Sequence, residues 1–344
     1  MLDHAVVVAT RNRLDVLQAS LPLFAAQSRP AARIVVVDRS DDHDAVRALC
    51  AEVAATVAIP LEVHYGEAAN LPGQRNQGLR HVREAVTLFP DDDSLWFPDT
   101  AEHLMCVYDA DRNGRYGAVS AVDVYAAPGD VAVEVPQRRL RFTDRSAVMA
   151  VRNRVEAALV PQPFEVYGRR RTAQLAARRG PEDPDHALVG TIGGYRMSVR
   201  TELAQRLLFD EVLGSRVGYG THEDKDMALR VLQSGSLIAV AEGARVFHNV
   251  HPGKRAGGFA YGFFHVFNYQ YICRKLYPPG RSAMADVRRY LGYKVGLYAL
   301  RRSDPYDREV YQGAKAALTT FDEVADAPPH ELAERYEKIT ARFL

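Results

Sequence analysis

The sequence predicts an α/β protein: a Rossmann-like, mostly parallel sheet flanked by helices, with a helical C-terminal appendage. Three observations carry that expectation. Short β-branched runs such as HAVVVAT (4–10) and ARIVVVD (32–38) alternate with amphipathic stretches of helical period, the pattern of a sheet covered on both faces. Each of the early runs ends in a polar cluster: TRNR, DRSDD and DDD. From about residue 255 the pattern changes to aromatic-rich helical segments.

Taken in order, 4–10 is a buried strand. The stretch 14–27 puts Leu14, Leu17, Leu21 and Phe24 on one helical stripe, with Pro30 as a stop. Then come a strand at 32–38, a helix over about 43–55, a strand at 61–65, a helix over about 73–86, and a strand at 85–89 (AVTLF). A helix over about 99–109 leads to a strand at 116–122. The stretch 124–190 reads as a partly mobile insertion, with an alternating run (VAVEVPQRRLRF), a helix near 144–159 and a basic Pro/Gly segment. GTIGGYRMSV (190–199) is a glycine-rich turn into a strand, followed by a helix from Thr201 and another opened by GYGTHEDKD. LIAVAEGARVFHNVH (237–251) reads as two strands.

The bulk numbers exclude several classes. Of 344 residues 47% are apolar, and 44 Lys+Arg against 43 Asp+Glu leave a net charge of +1; no charge excess points to nucleic acid. Three dispersed cysteines argue for a reducing compartment and against a disulfide framework or a zinc site. The N-terminus lacks the basic n-region of a signal peptide, and no apolar run reaches the ~18 residues of a membrane span. The expectation is a soluble cytoplasmic protein. GFAYGFFHVFNYQYICRKLYP (258–278) combines aromatics with a basic end, and packing on the protein is favoured over contact with a bilayer surface.

The chemistry sits at the strand ends. In DDD, alternation of side chains turns Asp91 and Asp93 to one side and Asp92 to the other. Two converging carboxylates at the ligand edge of such a sheet suit Mg²⁺ or Mn²⁺, whose shell substrate phosphates and water complete. Asp38 ends a buried strand, where it can accept hydrogen bonds from ribose hydroxyls or a base N–H. Thr10, Asn12 and Ser40 add hydroxyl and amide groups, and Arg11 or Arg13 suits a phosphate. Arg75, in the first turn of the helix opened by NLPGQRNQGL, marks an anion site. In GTHEDKD, Thr221 and Asp224 fit a capping box, and an Asp held at a helix N-terminus stays ionised as a general base must. Glu223, Asp226 and Asp210 crowd nearby. His248 ends an apolar strand and is placed to complete a metal shell, ahead of His251.

With those residues placed, the chain resembles the inverting nucleotide-sugar glycosyltransferases of family 2, with the glycosyltransferase A fold. The resemblance covers about 4–252 and rests on VVVATRNR, IVVVDRSDD, GQRNQGL, the Asp-any-Asp triplet, GTIGGYRMSV, and GYGTHEDKDMALRVLQSG followed by ARVFHN. It implies a catalytic domain over 1–252, with a nucleotide-binding half (1–115) and an acceptor half (116–252), and a helical extension over 253–344. It further implies that Thr10, Arg11, Asn12, Asp38, Ser40, Arg75, Asp91 and Asp92 bind the donor, that Asp91, Asp93 and His248 bind the metal, and that Asp224, with Glu223 beside it, is the base. The implied partners are a nucleoside-diphosphate sugar and a glycan, lipid-linked or small-molecule acceptor. His222 stands where that family often has another acid, and Gln74 where a small residue is usual. Two alternatives stay open: a non-catalytic sugar- or nucleotide-binding scaffold, and a nucleotidyltransferase of related fold. ATRNRLD, however, lacks the glycines that a phosphate loop or a dinucleotide fingerprint needs.

Overall fold

The computed structural model describes residues 1–129, 184–214, 221–249, 257–277, 281–302 and 304–344. The helix expected near 144–159, the alternating run, and His251 lie outside them. The described residues fall into two compact units, one of 1–129, 184–214 and 223–249, the other of 221–222 and the segments from 257 onward.

The first unit is an α/β layer structure. Strands β1 (His4–Thr10), β2 (Arg33–Asp38), β3 (Leu61–Tyr65) and β4 (Val86–Pro90) alternate with helices α1 (Leu14–Ala25), α2 (His43–Ala54) and α3 (Leu71–Leu79). The chain continues through β5 (Ser94–Trp96), α4 (Thr100–Ala110), β6 (Tyr116–Val124), β7 (His186–Leu188), β8 (Arg196–Arg200), α5 (Thr201–Leu207), α6 (Glu223–Gln233) and β9 (Leu237–His248). One sheet has the order β3-β2-β1-β4-β8-β6-β9-β5, with β7 paired to β9. The β3-β2-β1-β4 half is parallel, and β8 joins β4 and β6 antiparallel. Every residue of β1 is buried, as a central parallel strand covered on both faces requires. One apolar cluster packs α1, α2 and α4 on one face, around Leu17, Leu21, Phe24 and Trp96. The other packs Val7, Leu79, Met197, Met227 and Val231.

Two elements differ from expectation. Helix α3 stops at Leu79 instead of running to 86, and a turn connects it to β4. Its start is set by Asn70, whose side chain accepts from the Gly73 N–H, and by Pro72 in the first turn. A side chain at Gly78 would collide with Val7, so glycine there lets α3 lie against β1. The stretch 237–251 is one strand to His248, not two. Gly243 is not a turn signal: a Cβ there would sit 2.5 Å from the His103 ring, so the glycine admits α4.

The second unit is helical: α7 (Gly258–Leu276), α8 (Arg281–Ala299), α9 (Pro305–Thr319), α10 (Phe321–Ala325) and α11 (Leu332–Phe343). A Cβ on Gly262 or Gly313 would overlap the backbone of the facing helix, so these glycines set how closely α7 and α9 approach. The aromatics of α7 are spent inside the unit. Phe263 packs against Phe343, and Phe267 and Tyr271 against Tyr336. Buried Asn268 donates to the Thr221 carbonyl and accepts from the Tyr336 hydroxyl. Among the described residues no helix is long and apolar enough to cross a membrane.

Candidate functional site

The strand order turns back between β1 and β4, the place where such sheets leave a crevice at their carboxyl ends. The acidic triplet follows β4 there, and Asp91 pairs with Ala9 in an isolated bridge. Asp92 faces inward: it accepts from the Thr10 hydroxyl at 2.9 Å and from Arg13 at 2.6 Å. Asp91 and Asp93 face the other way. The antiparallel register of β5 with β9 sets His248 opposite Ser94, and Asp91, Asp93 and His248 bring ligand atoms within 4.8 Å of one another. The triplet is therefore no solvated loop, since Asp92 and Asp93 are buried.

Electrostatics separates the three acids. Burial lifts Asp92 to about 7, against the pull of Arg13. Burial, with Asp93 alongside, also raises Asp91 despite Arg75. Asp93 goes the other way, because His248 and Arg13 (2.7 Å) outweigh its burial. His248 is correspondingly raised: burial alone would lower it, but Asp93 at 3.2 Å prevails. That pair lacks hydrogen-bond geometry, so Asp93 Oδ1 is a buried oxygen without a hydrogen-bond partner. A carboxylate oxygen without a hydrogen bond, beside a second carboxylate and an imidazole, fits a divalent cation with mixed O/N ligands. A second His/Glu group, Glu62, His64 and His81 on the edge of the sheet, is less suited to a cation. There Arg33 holds Glu62 at 2.8 Å, and the two rings stack at 3.7 Å.

Arg75 lies where the sequence did not place it. It is fully buried, and its guanidinium is enclosed by Asp91 (2.7 Å), the Gly194 carbonyl (3.0 Å) and Glu223 (3.4 Å). It braces the acids instead of facing an open anion site. Burial and the neighbouring Asp224 lift Glu223 to about 8, overcoming Arg75. Asp224 is not spent on the capping box suggested by the sequence: Oδ2 accepts from the Gly194 N–H at 3.0 Å and Oδ1 from the Lys225 N–H at 2.7 Å. Asp226 is engaged by Arg230, and Asp210 caps a short turn through the Val212 N–H.

The β1 and β2 loops are latched together. Asn12, in the left-handed region at φ 54°, donates its side-chain amide to the Asp41 carboxylate and accepts from the Asp41 backbone N–H, and its own N–H donates to the Ser40 hydroxyl. Asp38 accepts from the Ser40 N–H and hydroxyl and from His43 at 2.7 Å. Gln74 fills the place beneath, donating to the Thr10 and Val37 carbonyls. Arg11 is exposed, with one bond to the Ala69 carbonyl. The sequence reading gave Arg13 as a phosphate candidate, whereas it braces Asp92 and Asp93; it overlooked His43 and the contacts of the turn Gly193–Arg196. That turn was visible as a glycine-rich motif, but its bonds come from backbone and ring, which residue type does not announce.

Residues 5–155 match the sequence model of glycosyl transferase family 2. That span is less than half of the chain. The matched span contains the β1 and β2 loops, Arg75 and the triplet. No curated protein matches by sequence. Among solved structures, the chain is similar to the mannosyltransferase PcManGT from Pyrobaculum calidifontis in complex with GDP-Man and Mn²⁺ (17% identity, 99% of this chain and 88% of that one, TM-score 0.52). It is also similar to TarS residues 1–349 from S. aureus in complex with UDP-GlcNAc (13% identity, 99% and 91%, TM-score 0.54). At these identities the likeness is one of fold, a glycosyltransferase A-type sheet with C-terminal helices.

Proposed function

We propose that this chain is a family 2 glycosyltransferase that moves a sugar from a nucleoside-diphosphate sugar to an acceptor hydroxyl, with inversion at the anomeric carbon, and that it requires a divalent cation. The observation that carries this reading is the convergence of Asp91, Asp93 and His248 in the same unit as Asp224, joined through Arg75 and Gly194. Structures of the same fold that hold GDP-Man with Mn²⁺, or UDP-GlcNAc, support the donor class and the metal. Residues 1–115 would then be the nucleotide-binding half, with Thr10, Arg11, Asn12, Asp38 and Ser40 at the ends of β1 and β2 nearest the donor.

Asp91, Asp93 and His248 would hold Mn²⁺ or Mg²⁺, which supplies positive charge against the negative charge developing on the departing diphosphate. The chain's own groups do the rest. The acceptor oxygen bonds to the anomeric carbon as the bond to the diphosphate oxygen breaks, and the hydroxyl proton passes to Asp224. Of the two adjacent acids Asp224 suits this role better. Glu223, at about 8, is already protonated near neutral pH and has no room for another proton. Two backbone N–H groups hold Asp224 in place.

The test is Asp224→Asn beside Glu223→Gln, with a panel of nucleoside-diphosphate sugars and Mn²⁺. Asp224→Asn is expected to bind donor with unchanged affinity and to lose transfer by about 10²-fold or more. Full turnover by that variant removes Asp224 from the role.

A further inference from the structure

The turn Gly193–Arg196 contributes no acid, base or metal ligand, yet it touches the groups that do. The Gly194 N–H holds Asp224, and the Gly194 carbonyl accepts from Arg75, which braces Asp91. The Tyr195 carbonyl accepts from the hydroxyl of Ser94, the residue after the acidic triplet. The Tyr195 ring lies flat against the His248 imidazole, with centroids 4.2 Å apart and planes 13° apart. The guanidinium of Arg196 also lies over this ring, 5.5 Å from its centroid, and the charge of Asp123 acts on the phenol.

The stack has a specific consequence. The χ2 torsion of histidine is broad and nearly two-fold, so an imidazole with a single weak partner can turn its nitrogens away from a target. His248 has such a partner, since Asp93 stands 3.2 Å away without hydrogen-bond geometry. A parallel ring at 4.2 Å leaves the imidazole free to slide but not to tilt. Groups behind a metal ligand that fix its orientation change metal affinity typically 10–100-fold when removed.

We propose that Tyr195 is a positioning residue: its ring fixes the plane of His248 toward Asp93, and its turn carries the same alignment through Gly194 to Asp224. The inference rests on the reading of Asp91, Asp93 and His248 as a cation site. It adds that the cation side and the base side are set by one four-residue turn.

Mn²⁺ binding to the purified full chain is titrated by electron paramagnetic resonance, with Mn²⁺ alone as the probe, for wild type, Tyr195→Phe and Tyr195→Leu. Tyr195→Phe keeps the ring and is expected to bind within about twofold of wild type, whereas Tyr195→Leu loses about tenfold or more. Equal affinity in the leucine variant overturns the inference. An equal loss in both variants assigns the effect to the hydroxyl and overturns it too. Absence of Mn²⁺ binding by the wild type sinks the cation reading instead, a distinct result. NMR of the metal-free wild-type chain tests the stack without any variant, so the question survives a leucine chain that does not fold. A His248 ring-proton signal displaced upfield by the Tyr195 ring supports the proposal, and a signal at the free-imidazole position refutes it.

Discussion

Replacing Arg75 with methionine probes the electrostatic centre of the site. Methionine is unbranched and flexible, so it fills much of the space while removing charge and donors. Three interactions go: the ion pair to Asp91 at 2.7 Å, the bond to the Gly194 carbonyl at 3.0 Å and the contact with Glu223 at 3.4 Å. Breaking a buried pair from one side costs about 3–5 kcal/mol, mostly because the remaining charge is stranded. Glu223 makes the cost depend on pH. Its folded value of about 8 lies above the 4.5 of an unperturbed glutamate, so its contribution is fully present below 4.5 and is lost as pH rises toward 8. In wild type the loss ends there, because folded Glu223 then ionises beside Arg75. Without Arg75 the folded value is higher still, and stability keeps falling above pH 8 by up to about 1.4 kcal/mol per pH unit. Urea unfolding at pH 7 and pH 9 measures both effects. The expected gap between wild type and Arg75→Met is about 3–5 kcal/mol at pH 7, widening by about 1 kcal/mol at pH 9. Adding Glu223→Gln should abolish the widening. A gap below about 1 kcal/mol, or one that stays constant with pH, refutes this account of Arg75.

Two predictions concern parts of the fold outside the site. Burial, with Arg29 nearby, lowers His4 on β1 to about 4, so it folds as the neutral ring. Its stabilisation is present above pH 6.5 and lost as pH falls through 4, amounting to about 3 kcal/mol over that window. His4→Leu should flatten the stability profile between pH 6.5 and 4 in guanidinium melts, and an unchanged slope would be contrary. In the helical unit, a Cβ on Gly262 would strike the Val310 carbonyl, whereas one on Gly292 in α8 meets nothing within 4 Å. Gly262→Ala should therefore destabilise by about 1–3 kcal/mol. Gly292→Ala should be neutral or stabilise by up to about 1 kcal/mol through helix propensity. Thermal melts of the two variants test the contrast, and equal shifts contradict the packing.

What the sequence made legible follows from period and position. β1 and β2 are uniform β-branched runs, and a strand buried on both faces has few other ways to read. DDD announced itself because acids directly after an apolar strand have to meet something. The failures have physical reasons as well. The stretch 237–251 read as two strands, yet it is one to His248, and Gly243 within it is the space α4 needs beside His103. Arg75 looked like a phosphate ligand because its helix position was readable, but which way a long side chain turns depends on acids 16 and 148 residues distant. Tyr195 was invisible because its stacking partner, His248, lies far along the chain on a strand separated from β8 by β6.

The charge count explains why so acidic a site holds together. Asp91, Asp92, Asp93, Glu223 and Asp224 share it with the guanidiniums of Arg13 and Arg75 and the imidazole of His248. With every group ionised, two negative charges would stand uncompensated in a half-buried crevice, where repulsion is screened far less than on an open surface. Proton uptake is one relief: burial lifts Glu223 to about 8 and Asp92 to about 7, and it raises Asp91 as well. A divalent cation is the other, and it matches the deficit in both size and sign. Asp93 is held low by His248 and Arg13, and its Oδ1 makes an ion pair with His248 but no hydrogen bond. Burial raises Asp91, Asp92 and Glu223 although an arginine touches each, whereas Asp93, which meets both Arg13 and His248, is lowered. The histidine on β9, added to arginines from the turn after β1 and from α3, is what keeps one carboxylate of the triplet charged.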